Sequence, residues 1–169
     1  VRSSGHCLLA RALMDAGLTF DDVEIVPISL PESETVFKDF DVDLVATAEP
    51  WLTKLLDEGG RVLHDSSRLP GEFQRVLVVR EEAVNLTPSP LKEMIEAHFS
   101  VANKDPSDWS PHILEGIARR EGLTLDRLNE AMSRVRIYSR EEQRRLLEGE
   151  MPLILSDFDK VASHLLTAG

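Results

Sequence analysis

The sequence is poor in cysteine and in aromatic residues: Cys7 is the single cysteine, and aromatic residues make up 5% of the 169 residues. One cysteine excludes an internal disulfide and fits either a reducing compartment or an exported protein without disulfides. Because Cys7 lies in an apolar run, we expect a small buried residue and not a nucleophile. No run of about 18 apolar residues is present, which excludes an ordinary membrane-spanning helix. The residues from Val1 onward show no signal-peptide pattern, which a mature or truncated chain would lack in any case.

Basic residues are also scarce relative to acidic ones. The chain has 19 lysines and arginines against 30 aspartates and glutamates, for a formal net charge of −11. A surface that binds nucleic acid needs clustered basic side chains. The small groups at Arg119–Arg120 and Arg144–Arg145 lie among glutamates, which indicates solvated helix faces. We therefore expect no nucleic-acid partner.

The patterns of catalytic and metal sites are absent as well. There is no GxSxG elbow, no Walker loop and no GxGxxG. The histidines show no spacing typical of metal ligands, and they are His6, His64, His98, His112 and His164. We therefore expect neither a metal nor a cofactor, and no enzymatic activity. A hydrophobic content of 42% nevertheless supports a folded core.

The first part of the chain alternates strand-like and helix-like segments. Short apolar, β-branched runs predict strands at Val23–Ile28, Leu44–Thr47, Arg61–His64 and Arg75–Arg80. Apolar spacing and capping residues predict helices between the first three of them. This order is typical of βαβ units. The predicted fold class is α/β, with a parallel-sheet lobe over residues 1–68.

Residues 69–169 are predicted to form a crossing strand followed by a helical tail. Pro111 is expected to open one helix, which Gly122 closes. Ser139 and Glu142 match a capping box before a further helix. Phe158 lies in a last amphipathic helix. Two pairs of acidic residues, Asp21–Asp22 and Glu81–Glu82, are interpreted as solvated loop charges.

Residues Ser3, Ser4, Gly5 and His6 lead directly into the first predicted helix. The free amides and hydroxyls of a helix start, together with the helix dipole, can hold a carboxylate, sulfonate or phosphate group. His6 could donate a hydrogen bond to the same ligand. The alternative is that Ser3 or Ser4 is simply the N-cap of this helix.

A second candidate segment lies at the end of the strand predicted at Leu44–Thr47. Ligands of open α/β sheets bind at such strand ends. Glu49 could accept a hydrogen bond from an amine or hydroxyl, and Trp51 could contact a flat ligand. The alternative is that Glu49 stabilises a helix N-terminus and that Trp51 belongs to the core.

With these segments in view, the sequence resembles the type 2 periplasmic-binding-protein fold. It is most similar to the group that serves nitrate, sulfonate, taurine and thiamine-pyrimidine-precursor importers. Each similar segment is short, but their order and spacing are fairly specific. They are Ser3–His6, Leu8–Leu13, Ala16–Leu18, Asp21–Val26, Val42–Pro50, Gly59–Ser67, Pro70–Gly71, Glu96–Phe99 and Tyr138–Glu142.

The resemblance implies a solute-binding component of an ABC importer, located in the periplasm or otherwise outside the cytoplasm. Such proteins capture a small polar molecule or oxyanion between two lobes, without catalysis, and deliver it to a membrane permease. The resemblance also implies that Ser3–His6 and Glu49–Trp51 face the ligand cleft. It implies further that this chain is a C-terminal portion lacking the first part of lobe one. A sheet edge left bare in this way could support self-association.

Two other functions are alternatives to solute transport. The same fold could serve as the ligand-sensing periplasmic domain of a signalling protein, in which the chain would continue into a membrane helix. A group of fungal enzymes that form a pyrimidine shares the fold, but these enzymes need a cysteine-rich motif. This sequence has a single cysteine, Cys7, and so lacks that motif.

Overall fold

Helices dominate the part of the chain described by this computed structural model, which comprises residues 3–150 and 152–167. The α-helices are α1 (Ser4–Asp15), α2 (Ser33–Lys38), α3 (Trp51–Asp57), α4 (Glu81–Leu86), α5 (Pro88–Ala102), α6 (Pro111–Glu121), α7 (Leu125–Ser133), α8 (Arg140–Leu147) and α9 (Leu153–Thr167). Single 3-10 turns lie at Phe20–Asp22, Leu30–Glu32, Ser66–Arg68 and Pro106–Asp108.

The helix ends follow the capping residues of the sequence. Gly122 ends α6 in the left-handed conformation, with φ 68° and ψ 35°. Ser139 and Glu142 form the predicted capping box of α8. These helix predictions are confirmed. The sequence did not predict α4, because its leading pair Glu81–Glu82 was interpreted as a charged loop.

The prediction of a parallel-sheet lobe is wrong. Within the described residues, all four predicted strands are segments without regular secondary structure. No backbone hydrogen bond of the described residues joins one of them to another. Their apolar side chains are also poorly covered, since Leu77 is 72% exposed and Val78 is 84% exposed.

The physical reason is that apolar, β-branched composition favours an extended backbone but does not by itself provide a partner strand. A strand exists only where a neighbouring segment accepts and donates its ladder hydrogen bonds. The predicted self-association depended on an exposed sheet edge. Without a sheet in the described residues, that prediction loses its basis.

Helix α1 carries a large share of the buried apolar side chains, with Cys7, Ala10 and Leu13 on its inner face. The prediction that Cys7 is buried is confirmed. Burial raises the pKa of the Cys7 thiol, and the negative charge of Glu72 raises it further, against an opposing effect of Arg11. The thiolate form is therefore disfavoured, which argues against a reactive cysteine.

A short loop around Gly71 makes side-chain contacts with both α1 and α9. Arg11 of α1 forms an ion pair with Glu72 at 3.5 Å, and Gln74 Nε2 donates to Asp157 Oδ2 of α9 at 3.3 Å. Gly71 has a φ of 85°. A Cβ atom at this glycine would lie 2.3 Å from Asp157 Oδ2. The loop therefore favours glycine for its backbone conformation, and a side chain at this position would displace the Asp157 carboxylate.

Two further features bear on function. No helix of the described residues is long and apolar enough to cross a bilayer. Within the same residues, no group of three or more histidine, cysteine, aspartate or glutamate side chains is arranged to hold a metal ion.

The capping box of α8 yields a pH prediction. Arg136 and the Ser139 amide and hydroxyl lower the pKa of Glu142 from 4.5 to about 2. Because the folded pKa is lowered, these contacts stabilise the fold above the unfolded pKa and lose their effect as pH falls from about 4.5 to about 2. We expect an NMR titration to place the Glu142 midpoint near 2, and Arg136→Ala to move it upward. A midpoint near 4.5 in the unaltered chain would contradict this capping geometry.

Candidate functional site

The start of α1 presents unpaired backbone donors. Ser3 is the N-cap, and its Oγ accepts a hydrogen bond from the His6 amide at 3.2 Å. The amides of Ser4 and Gly5 have no acceptor among the described residues. Ser3 and Ser4 are exposed, whereas Gly5 and His6 are half-buried. The first turn contains no acidic side chain that would compete for these donors.

His6 is fixed in place by an aromatic stack. Its ring lies 4.6 Å from the ring of Phe20, at an interplanar angle of 7°. The Nδ1 atom of His6 is buried and has no hydrogen-bond partner within the described part of the chain. A buried polar nitrogen without a partner is uncommon in a folded protein. His6 therefore has a hydrogen-bonding atom that is unused within the described part of the chain.

The two candidate segments of the sequence are neighbours in space. A Cβ atom placed on Gly5 would lie 3.5 Å from Ala46 Cβ, which is ordinary van der Waals contact. Ala46 precedes Glu49 by three residues in the same segment. The structure thus brings the start of α1 against the segment that leads into the turn of Glu49 and Trp51. It does so without the sheet that was predicted to align them.

Glu49 stabilises the start of α3. Its Oε2 accepts hydrogen bonds from the Thr53 amide at 3.1 Å and from Thr53 Oγ1 at 2.8 Å. The Glu49–Pro50 peptide bond is cis. Trp51 follows as the first residue of α3 and is half-buried. The turn is therefore held by a carboxylate that satisfies an otherwise unpaired helix amide.

Arg134, at the end of α7, binds the same carboxylate. Its Nη1 donates to Glu49 Oε1 at 3.2 Å and to Thr53 Oγ1 at 3.1 Å. The Glu49 side chain is 13% exposed and the Arg134 side chain 35% exposed. Sequence reasoning did not find Arg134, since no local pattern links it to a glutamate 85 residues away. The Glu49 and Thr53 pair, four residues apart, was a signal that could have been found.

Two more hydroxyl groups lie beside this turn. Ser33 Oγ at the start of α2 donates to the Leu30 carbonyl at 2.6 Å and lies 3.5 Å from Thr47 Oγ1. Ser33 and Thr53 are each 1% exposed. Buried hydroxyls with partners on neighbouring segments fix the relative positions of those segments. The turn before α3 is therefore anchored on α2 as well as on α7.

The start of α1 has the donors of an anion-binding site. Two free amides, the Ser4 hydroxyl and the His6 nitrogen can all donate to an anion at the start of α1. Ser3 is engaged as the N-cap, and both carboxylate oxygens of Glu49 already accept hydrogen bonds within the chain. Ligand contact stays a prediction for all six residues, which are Ser3, Ser4, Gly5, His6, Glu49 and Trp51.

Comparison with known proteins places the chain among its relatives. The model of the NMT1-like family matches residues 2–104. Over 68 residues, the chain is 38% identical to the putative aliphatic sulfonates-binding protein of Escherichia coli (strain K12), a match that covers 40% of this chain and 21% of that protein. No solved structure matches the chain. The predicted resemblance to the nitrate and sulfonate group of solute-binding proteins is confirmed, and the chain belongs to the NMT1-like family.

Proposed function

We propose that the protein is the extracytoplasmic solute-binding component of an ABC-type importer and that it captures a small organic oxyanion such as a sulfonate. The observation that carries this proposal is the pair of unpaired amides at the start of α1 beside the unpartnered Nδ1 of His6. Donors of this kind bind tetrahedral and carboxylate anions well. The match to a sulfonates-binding protein supports the same ligand class.

In this proposal, residues 1–68 carry the ligand-binding segments and residues 69–169 hold them in place. The ligand contacts are Ser3, Ser4, Gly5 and His6 from the start of α1, together with the turn of Glu49 and Trp51. The partner is a membrane permease that receives the ligand. The net charge of −11 gives no long-range attraction for anions, so the affinity comes from these local donors.

The proposal is tested by isothermal titration calorimetry with two probes of similar size and opposite charge, ethanesulfonate and ethylammonium. Ethanesulfonate is expected to bind, since the first turn of α1 offers unpaired amides and contains no acidic side chain. Ethylammonium is expected to give no heat of binding. Binding of ethylammonium alone would overturn the assignment of an oxyanion site.

Ser4→Pro tests the role of a single amide. Ser4 is the first residue of α1, a position where proline fits, and Ser3 before it is extended, with φ −121° and ψ 167°. The substitution thus removes one N–H while the helix is kept. We expect the affinity for ethanesulfonate to fall about tenfold, the effect of one charge-assisted hydrogen bond. Ser4→Ala is the matched control, since it removes the hydroxyl but keeps the amide. Equal affinities of the proline and alanine variants would exclude the amide as a ligand contact.

A further inference from the structure

Helix α7 lies along α3, and its arginines bind an acidic residue at each end of α3. Arg127, near the start of α7, forms an ion pair with Asp57, the last residue of α3. Arg134, which caps the end of α7, forms an ion pair with Glu49 just before α3 begins. The two helices therefore run antiparallel, with one arginine of α7 at each end of α3.

Helices α3 and α7 are in contact. Leu55 of α3 is buried, and so are Leu128 and Ala131 of α7. Packing of this kind fixes the distance between the helices, while the ion pairs fix their register. A helix of seven residues is about 10 Å long, so the two ion pairs are well separated.

We propose that Arg134 is a positioning residue for the turn of Glu49 and Trp51, an inference that rests on the proposed function. Its Nη1 is shared between Glu49 Oε1 and Thr53 Oγ1, so one guanidinium ties the carboxylate and the first turn of α3 together. Glu130 Oε2 lies 3.6 Å from its Nη2 and also accepts a hydrogen bond from Arg127 Nη1 at 2.6 Å, so both arginines of α7 contact this carboxylate. Arg134 lies outside residues 2–104, the part of the chain that the family model matches.

Arg127 provides the matched control. It is an arginine of the same helix, similarly exposed, and paired with a carboxylate of the same partner helix. Its ion pair holds the opposite end of α3, away from the turn. Loss of either arginine removes one ion pair between α3 and α7, but only the loss of Arg134 releases Glu49.

The experiment uses Trp51 as a reporter. The chain has two tryptophans, so Trp109→Phe leaves Trp51 as the single emitter. In this background we expect Arg134→Ala to shift the emission to longer wavelength and to increase quenching by acrylamide. Arg127→Ala is expected to leave both unchanged, and Arg134→Lys to restore them in part, because lysine keeps the charge but not the shared geometry. The affinity for ethanesulfonate is expected to fall about fivefold in Arg134→Ala and to stay unchanged in Arg127→Ala.

The two readouts separate this inference from the proposed function. Circular dichroism first confirms that each variant keeps its helices, and Arg134→Lys replaces Arg134→Ala if the alanine variant unfolds. A change at Trp51 that is specific to Arg134 supports the positioning role even if ethanesulfonate does not bind, in which case only the proposed ligand class fails. Equal Trp51 emission in the Arg134 and Arg127 variants overturns the positioning role, whatever the affinity.

Discussion

Replacing Glu49 with alanine is expected to weaken the binding of ethanesulfonate about thirtyfold, the largest loss of affinity among the variants considered. The carboxylate accepts from the Thr53 amide and hydroxyl and from Arg134, so its removal leaves the two Thr53 donors without this acceptor and breaks the ion pair of Arg134. Hydrogen bonds to a charged group contribute about 2 kcal/mol, which corresponds to this change in affinity if the turn is released. The measurement is calorimetry with ethanesulfonate.

Glu141→Ala is the control for this substitution. Glu141 is also a glutamate paired with an arginine, Arg145, but its side chain is 75% exposed on α8. Surface pairs of this kind contribute little. We expect Glu141→Ala to bind ethanesulfonate like the unaltered chain. Equal affinities of the Glu49 and Glu141 variants would refute the assignment of Glu49 to the site. Glu49→Gln should fall between them, because an amide oxygen still accepts from Thr53.

Replacing Gly71 with alanine is expected to cost about 3 kcal/mol of unfolding free energy, which lowers the Tm of a chain of this length by roughly 10 °C. Two effects add. Alanine is strained at a φ of 85°. Its Cβ would also lie 2.3 Å from Asp157 Oδ2, so α9 or its carboxylate must move and lose the contact to Gln74. Thermal unfolding followed by circular dichroism measures this change.

Gly17→Ala isolates the backbone contribution. Gly17 has a φ of 71°, and no atom lies within 4 Å of a Cβ placed there. We expect this variant to lose about 1 kcal/mol. In the double variant Gly71→Ala with Asp157→Ala, part of the lost stability should return because the carboxylate is gone. A Gly71→Ala variant no less stable than Gly17→Ala would show that α9 does not approach this loop.

The helices could be predicted from the sequence to a large extent. Local signals determine where they start and stop, as the capping box of Ser139 and the left-handed Gly122 show. The start of α1 as a set of free amides follows from the same local rules, because the first turn of any helix leaves its N–H groups unpaired. Helix α4 was missed because acidic residues favour both loops and helix N-termini.

The strands and the environment of Glu49 were decided by tertiary structure. Segments such as Arg75–Arg80 have the composition of strands, but strand pairing needs a distant partner that local sequence does not specify, and in the described residues none is present. Glu49 was predicted either to contact a ligand or to stabilise a helix N-terminus. The structure shows the second arrangement, with Glu49 bound to Thr53 at the start of α3, and adds Arg134, 85 residues away, which the sequence did not indicate. The sequence by itself determined the helices and the unpaired amides at the start of α1, because both depend on hydrogen bonds within a few residues. Only the tertiary structure decided which distant side chain holds the turn before α3, because an ion pair depends on where two helices dock.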